Sequence, residues 1–435
     1  MITRRNFIKV GGVMTMAGAF APAFVAKSLS AATTNTAQSK RALVIVQLTG
    51  GNDGLNTVIP YADQTYYQVR PTIGIPAAQV LKLDEQLGLD PGLKAFKDFY
   101  DAGQLAVVRG VGYPNPNYSH FRSMEIWQSG TPDTVAKDGW IGRYLNTQVS
   151  ADGSNSRDVG KLAMNIGNGG QGGGAPLAMW TDKTVVLSYN GAQSFRFLGD
   201  TATAKTGGTD RDAQLVAAKK IYNIASGNNV ADYIRNSALD ALTASDQIEK
   251  IAAAYKTDVT YPNTPFAGRL KSIAQLLSSD YGTRIFYVAA DGGFDTHFNE
   301  QLQGAGGQGY HSKLLSGVAE PLAAFYKDLA AKGLADNVMT MTFSEFGRRV
   351  AENGSHGTDH GSAEPMFVIG GPGAVKGGMY GTQPSLTDLD NGNLKVQVDF
   401  RSVYGTLLKN WMGAEPAPVV GGDFPLLDFV NSKVS

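Results

Sequence analysis

The 435-residue chain carries 38 basic residues, 38 acidic residues, five His and no Cys. Without cysteine it has neither disulfides nor thiolate ligands, so any metal must be held by Asp, Glu, His, Asn or hydroxyl groups. The balanced charge shifts to about −4 once a leader bearing Arg4, Arg5, Lys9 and Lys27 is removed, which excludes the basic footprint of a nucleic-acid or anionic-lipid binder.

That leader is the first element. Thr3-Arg4-Arg5-Asn6-Phe7-Ile8-Lys9 has the pattern of a twin-arginine export signal, and residues 10–26 form an apolar run diluted by Gly, Thr and Pro. Small residues between Ser28 and Ala32 offer a cleavage site. Residues 1–32 are therefore expected to be a signal peptide read by the Tat export machinery, leaving a periplasmic or secreted mature chain. Neither this run nor any later one is long and apolar enough for a stable membrane span. About 400 mature residues suit one elaborated domain or two domains. The 53 Gly point to many tight loops around a packed scaffold.

Residues 42–48 (ALVIVQL) read as a strand buried on both faces, as in the centre of a parallel sheet. The strand empties into Thr49-Gly-Gly-Asn-Asp53-Gly-Leu-Asn56, which has neither G-x-G-x-x-G nor Walker spacing. Asp53 reads equally as a metal ligand or as a turn former. Asp90-Pro91 reads as an N-cap with Pro at the first helical position, opening an amphipathic helix to Tyr100. Residues 105–108 form the second buried strand, and a Pro/Asn-rich turn leads to Ser119 at the start of the next helix. Ser119 is either an N-cap satisfying an orphan amide or a nucleophile that exploits the helix N-terminus. His120 and Arg122 stand beside it, placed to bind an oxyanion.

From 150 to 210 the composition predicts long loops with short strands, residues 184–189 among them. Helical periodicity follows over 212–225, 230–255 and 265–278, so residues 150–280 are expected to form a loop-rich and helical cap inserted over the sheet. Residues 284–290 are a third strand, ending in Asp291-Gly-Gly-Phe-Asp295-Thr-His297. His311 opens a helix to about Lys332. A fourth strand, 337–343, ends in Ser344-Glu345. A Gly/Asn-rich loop then presents His356, Asp359 and His360 before the apolar run 366–369. Residues 384–400 are a polar connector with a short strand, and 401–412 a closing helix with Gly413 as its C-cap.

All five His lie at strand ends, in Gly-rich loops or at a helix start, and none on an apolar face. In a parallel α/β sheet the loops at the carboxyl ends of the strands share one edge. Asp53, Asp295, His297, Glu345, Asp359 and His360 are therefore candidate ligands for one or two divalent ions. Oxygen and imidazole donors admit Zn, Mn, Ca or Mg.

Together with the leader, the segments LTGGNDGLN, YPNPNYSHFRSMEIW, GGFDTHFNE, TFSEFGR and GTDHGSAEPMFVIGG resemble an uncharacterised Tat-exported bacterial family, a domain of unknown function within the alkaline-phosphatase-like superfamily. The resemblance covers nearly all of the mature chain, residues 33–435. It implies an α/β fold with a mostly parallel central sheet flanked by helices. It also implies Asp53 as first Asp ligand, Ser119 as nucleophile, and Asp295 or Asp291 with His297 as the middle Asp/His pair. At the end of the chain two registers compete. By motif, Asp359-His360 matches the superfamily's Asp-His-Gly. By strand order Ser344-Glu345 stands there and His360 is the last His. The second is preferred, because a strand should lead directly into the pair, and it puts Glu345-Phe346 where Asp-His is expected. Either register loses or replaces one ligand. The implied chemistry is displacement at phosphorus or sulfur, with Ser119 attacking a metal-polarised ester. The implied function is an exported metal-dependent hydrolase of phosphate or sulfate esters, small-molecule or glycan. The alternative is a catalytically degraded relative that binds a metal, a ligand or an envelope partner.

Overall fold

The computed structural model describes residues 40–167, 175–189, 229–279, 281–301 and 309–431, together with positions 216, 217 and 220. The leader expected over 1–32 and most of the helix expected over 212–225 lie outside the described residues.

Nine strands form one sheet: β1 (Ala42–Leu48), β2 (Leu105–Gly112), β3 (Ala163–Ile166), β4 (Leu187–Tyr189), β5 (Ile285–Ala289), β6 (Val338–Ser344), β7 (Glu364–Gly370), β8 (Gly378–Tyr380) and β9 (Val398–Asp399). Their order is β8-β2-β7-β6-β1-β5-β3-β4, with β9 also paired to β2. β1 runs parallel to β5 and β6, and β3 parallel to β5 and β4. Only β7 is antiparallel to its neighbours, β2 and β6. The fold class is thus the expected one, a mostly parallel central sheet flanked by helices.

The apolar run of β1 explains its central place. Leu43 and Ile45 enter the core on one face, Val44 and Val46 that on the other, and all seven residues are buried. One face is covered by α3 (His120–Ser129), α4 (Trp140–Gln148) and α8 (Phe400–Thr406), through Trp127, Trp140 and Tyr404. The other is covered by α2 (Lys94–Asp101), α6 (Pro265–Leu277) and α7 (Tyr310–Ala331), through Phe96, Leu270 and Leu322. A short α1 (Gln64–Val69) and a long α5 (Asn229–Ala254) complete the helices used below. Within the stretch 150–280, β3 and β4 extend the main sheet and α6 buries its apolar side against it. The closing helix is α over Phe400–Thr406 and then widens into a π turn, Leu407–Trp411, before Gly413 at φ 69°. No described helix is long and apolar enough to cross a membrane.

The reversal of β7 positions the site. An antiparallel strand begins at the sheet edge where its parallel neighbours end. The loop 345–363 therefore leaves β6 and enters β7 at a single edge, shared with the loops after β1, β2 and β5.

Asp90 carries a first testable consequence. It caps the turn Pro91–Leu93 ahead of α2, accepting from the Gly92 amide at 2.7 Å and from Ser312 Oγ at 2.8 Å. Burial pushes its carboxyl from 3.8 up to about 7. A raised carboxyl stabilises the fold fully below about pH 4, and the contribution is lost as pH rises through about 7. Between about pH 4 and 8, denaturant titration should show a loss on the order of 4 kcal/mol that Asp90→Asn removes.

Candidate metal centre

The loop after β1 is set by two glycines. Gly50 and Gly51 lie at φ 123° and 79°. A Cβ on Gly50 would sit 2.4 Å from the Asp295 amide nitrogen, and one on Gly51 2.2 Å from the Phe346 ring. The loop can therefore press against the loops that carry Asp295 and Phe346 only with glycine. Its amides are turned inward. Gly50 N–H donates to Glu345 Oε1 at 2.8 Å, and Gly51 and Asn52 N–H donate to Ser344 Oγ at 3.1 and 3.0 Å. They serve the end of β6, not a ligand. Gly50→Ala should cost about 1–3 kcal/mol in thermal or chemical unfolding and displace Asp295.

Four side chains converge at this edge. His120, Asp295 and His360 each offer a ligand atom, all within 4.8 Å of one another. His120 Nε2 stands 3.5 Å from Asp295 Oδ2; His297 Nε2 and His360 Nε2 stand 3.2 and 3.3 Å from Asp295 Oδ1. His297 Nε2 and His360 Nε2 face each other at 2.9 Å.

The far side of each imidazole fixes its tautomer. His120 Nδ1 is 2.9 Å from Glu345 Oε1, and His360 Nδ1 is 2.7 Å from the Tyr118 carbonyl. His297 Nδ1 faces Asp359 Oδ1 at 3.4 Å. These oxygens only accept, so each Nδ1 turns a proton toward them, and the three Nε2 atoms face inward toward the Asp295 carboxylate. Two bare nitrogens at 2.9 Å repel unless a cation or proton lies between them. The His297–His360–Asp295 separations, 2.9, 3.2 and 3.3 Å, lie close to the edge of a tetrahedron, about 3.3 Å, around an ion bound at 2.0–2.1 Å. The donor set fits a divalent metal.

The electrostatics agree. At Asp295 desolvation works upward, but the Arg348 hydrogen bond and charge outweigh it, and the carboxyl is held below its usual range. Burial lowers His360, with the charge of Arg348 adding to it, so it is neutral near pH 7. The hydrogen bond His120 donates to Glu345 raises its pKa against its desolvation. Phe346 packs on both His120 and His360, ring centroids 5.0 and 4.4 Å away.

The remaining candidates fall in three groups. Glu345 and Asp359 stand one step back, each behind an imidazole. Glu345 is 1% exposed and is saturated by Gly50, Ser344 and His120. The choice between Glu345 and Asp359-His360 for one place thus dissolves: both loops reach the cluster, through different atoms. Ser119 occupies the N-cap position of α3, yet its hydroxyl makes no capping bond and is exposed. Asp53 and Arg122 are corrections. Asp53 is fully buried and paired through both carboxylate oxygens with Arg70, its Oδ1 3.0 Å from Nη2, so it is turned into the core. Arg122 donates to the carbonyls of Pro132 and Thr134 at 2.8 and 3.0 Å and pairs with Glu125. Asp291 likewise caps α6 through the Phe266 amide and pairs with Arg269. His311 is buried, donates from Nε2 to Asn52 at 3.0 Å, and burial holds it down to about 4.

Two residues that organise the site carried no sequence signal. Arg348, 1% exposed, donates to the carbonyls of Gly51, Thr358 and Phe294 at 2.6, 2.8 and 3.1 Å and to Asp295 Oδ1 at 2.6 Å. Glu300 accepts from Thr296 and Thr358 at 3.0 and 2.9 Å, tying the Asp295–His297 loop to the Asp359–His360 loop. Each looks like an ordinary loop charge until the four loops are assembled.

Residues 40–411 match the family described as "Protein of unknown function (DUF1501)". No curated protein matches the chain. Among solved structures it is similar to a protein of the alkaline phosphatase superfamily from Vibrio parahaemolyticus (8% identity, 88% of this chain and 69% of that one, TM-score 0.38). It is also similar to the PsFucS1 sulfatase from Pseudoalteromonas sp. (13%, 91% and 72%, 0.40). A third is the C-terminal periplasmic domain of EcEptC from Escherichia coli in complex with Zn (8%, 76% and 72%, 0.36). These likenesses are too distant to carry a conclusion about this chain.

Proposed function

This chain belongs to the DUF1501 family of proteins of unknown function, and from its site we propose that it is an exported, metal-dependent hydrolase of phosphate or sulfate esters. The observation that carries the reading is the pair of imidazole nitrogens, His297 Nε2 and His360 Nε2, facing each other at 2.9 Å beside the Asp295 carboxylate. His120, Asp295, His297 and His360 would hold one divalent ion, with Glu345 and Asp359 orienting His120 and His297. A set rich in imidazole suits Zn better than Mg or Ca. Such an ion polarises an ester and offsets the charge that develops on its oxygens.

Ser119 is the nucleophile in this reading. Its hydroxyl is uncommitted, it opens α3 where the helix favours an anion, and His120 follows it directly. The twin-arginine leader supports a periplasmic or secreted location, and an open site on the sheet edge is compatible with a small-molecule or glycan ester. Metal analysis of the purified protein, followed by aryl phosphate, phosphodiester and aryl sulfate assays, tests the reading. Turnover should vanish in Ser119→Ala and His360→Ala. Metal bound with no turnover of any ester would sink the enzyme and leave the second reading, metal or ligand binding without catalysis. That second reading is favoured by Asp53, which is spent on Arg70 and so leaves donors for one ion rather than two.

A further inference from the structure

We propose that Asn353 is a positioning residue of the metal centre, whose amide nitrogen holds His297 at two points so that its Nε2 faces His360. The inference rests on the metal-dependent reading of the site. His297 is fixed at its backbone carbonyl and at the Asp359 carboxylate, which its Nδ1 faces at 3.4 Å. One NH2 group serves both. Asn353 Nδ2 donates to the His297 carbonyl at 2.9 Å and to Asp359 Oδ1 at 3.1 Å. Its two protons are thus spent on the residue that would ligate and on the acceptor that orients it.

The oxygen of the same side chain anchors it. Asn353 Oδ1 accepts from the Ser355 and Gly357 amides at 2.9 and 3.2 Å, a turn that Asn forms with the backbone just ahead of it. Its own N–H donates to the Gly357 carbonyl at 2.8 Å, and its carbonyl accepts from the His356 amide at 3.2 Å. This turn lies along the His297 segment. Asn299 and Glu300 N–H donate to the Ser355 and His356 carbonyls at 3.0 and 2.9 Å, and Thr358 N–H donates to the Thr296 carbonyl at 3.0 Å. A Cβ on Gly357 would stand 2.3 Å from the His297 carbonyl carbon, so glycine is what lets the two segments approach. Asn353 is a side chain that reaches from one segment to the other. The acceptor behind His120 is held differently. Glu345 is buried and also takes hydrogen bonds from Gly50 and Ser344. The Asp359 side chain is 56% exposed, and Asn353 sets its aim.

The test uses the full-length protein loaded with zinc or with cobalt(II), whose visible absorption reports the geometry of its ligands. Asn353→Ser and Asn353→Asp each keep an oxygen for the turn and lose the donor. Both should bind zinc about 10-fold more weakly in chelator competition and shift the cobalt(II) bands. The thermal midpoint of the metal-free protein should not move. The added charge of Asp would by itself draw a cation in, so weaker binding by both variants marks the lost NH2. In an Asp359→Ala background the loss from Asn353→Ser should shrink, because the two residues act on one imidazole. If both variants bind zinc as wild type does and leave the cobalt(II) bands in place, the assignment of Asn353 is overturned while the metal centre stands. A fall in the metal-free midpoint alongside the weaker binding also overturns it, since Asn353 would then belong to the scaffold. Wild type that holds neither zinc nor cobalt overturns the metal-dependent reading itself, and this inference with it.

Discussion

Replacing Arg70 by leucine is expected to cost about 3–5 kcal/mol of unfolding free energy. Arg70 and Asp53 have no exposed side-chain surface, and the guanidinium grips both carboxylate oxygens. Burial drives the Asp53 carboxyl upward, but the charge and hydrogen bonds of Arg70 overcome it and hold the group at about 2. Glu300 lies against the same carboxylate. Burial, with the Asp53 charge adding to it, pushes the Glu300 carboxyl well above its usual range. Removing the guanidinium leaves the Asp53 carboxylate buried without its cation. It also frees the carbonyls of Val350 and Arg349, which Arg70 holds at 2.8 and 2.9 Å. Denaturant titration reads the loss. Because Asp53 titrates below its unfolded value of 3.8, its contribution is complete above about pH 4 and disappears as acid takes the pH toward 2. Asp53→Asn separates this role from metal binding. It should lower stability and keep one ion per chain, whereas a stable variant without metal would return Asp53 to the ligands.

The second large effect is expected at Glu345. Glu345→Gln should weaken metal binding about 10- to 100-fold, the range for groups that orient a ligating imidazole, and His360→Ala should weaken it further. The carboxylate accepts His120 Nδ1–H at 2.9 Å and the Gly50 amide at 2.8 Å, so it sets both the tautomer of the ligand and the loop that packs on Asp295. His120 and Gly50 share Oε1 while Ser344 donates to Oε2, so the NH2 of Gln must face one of these donors. Competition with a chromogenic chelator near pH 7 measures the change. Affinity should fall as pH drops, because protons compete for the imidazoles. If both variants hold zinc as wild type does, the cluster is not a metal centre.

The elements were legible because their causes are local. The unbroken apolar run of β1 means burial on both faces, the Asp90-Pro91 pair caps a helix start, and the segments ending at Asp295, Glu345 and Ser119 read as strand or turn boundaries in sequence as they are in space. The concentration of His at such boundaries pointed to one sheet edge, and His297, Asp295 and His360 do meet there.

What sequence could not assign was the direction of a side chain at a correctly placed loop. Asp53 and Asp295 are both acids in Gly-rich turns after strands. One points into the core because Arg70, seventeen residues on, lies beneath it. The other points outward because Arg348 sits behind it. Arg122 and Arg348 are likewise equal in sequence and opposite in role. His120, which reads as an oxyanion binder, meets Asp295 because Glu345 turns its ring. By itself, then, the sequence determined the sheet, its helices, the absence of thiolate chemistry and the few residues able to bind metal, since these depend on composition and short-range periodicity. Tertiary structure alone decided which of those residues converge. That depends on the antiparallel β7 bringing 345–363 back to one edge, and on which buried arginine or carboxylate stands behind each donor.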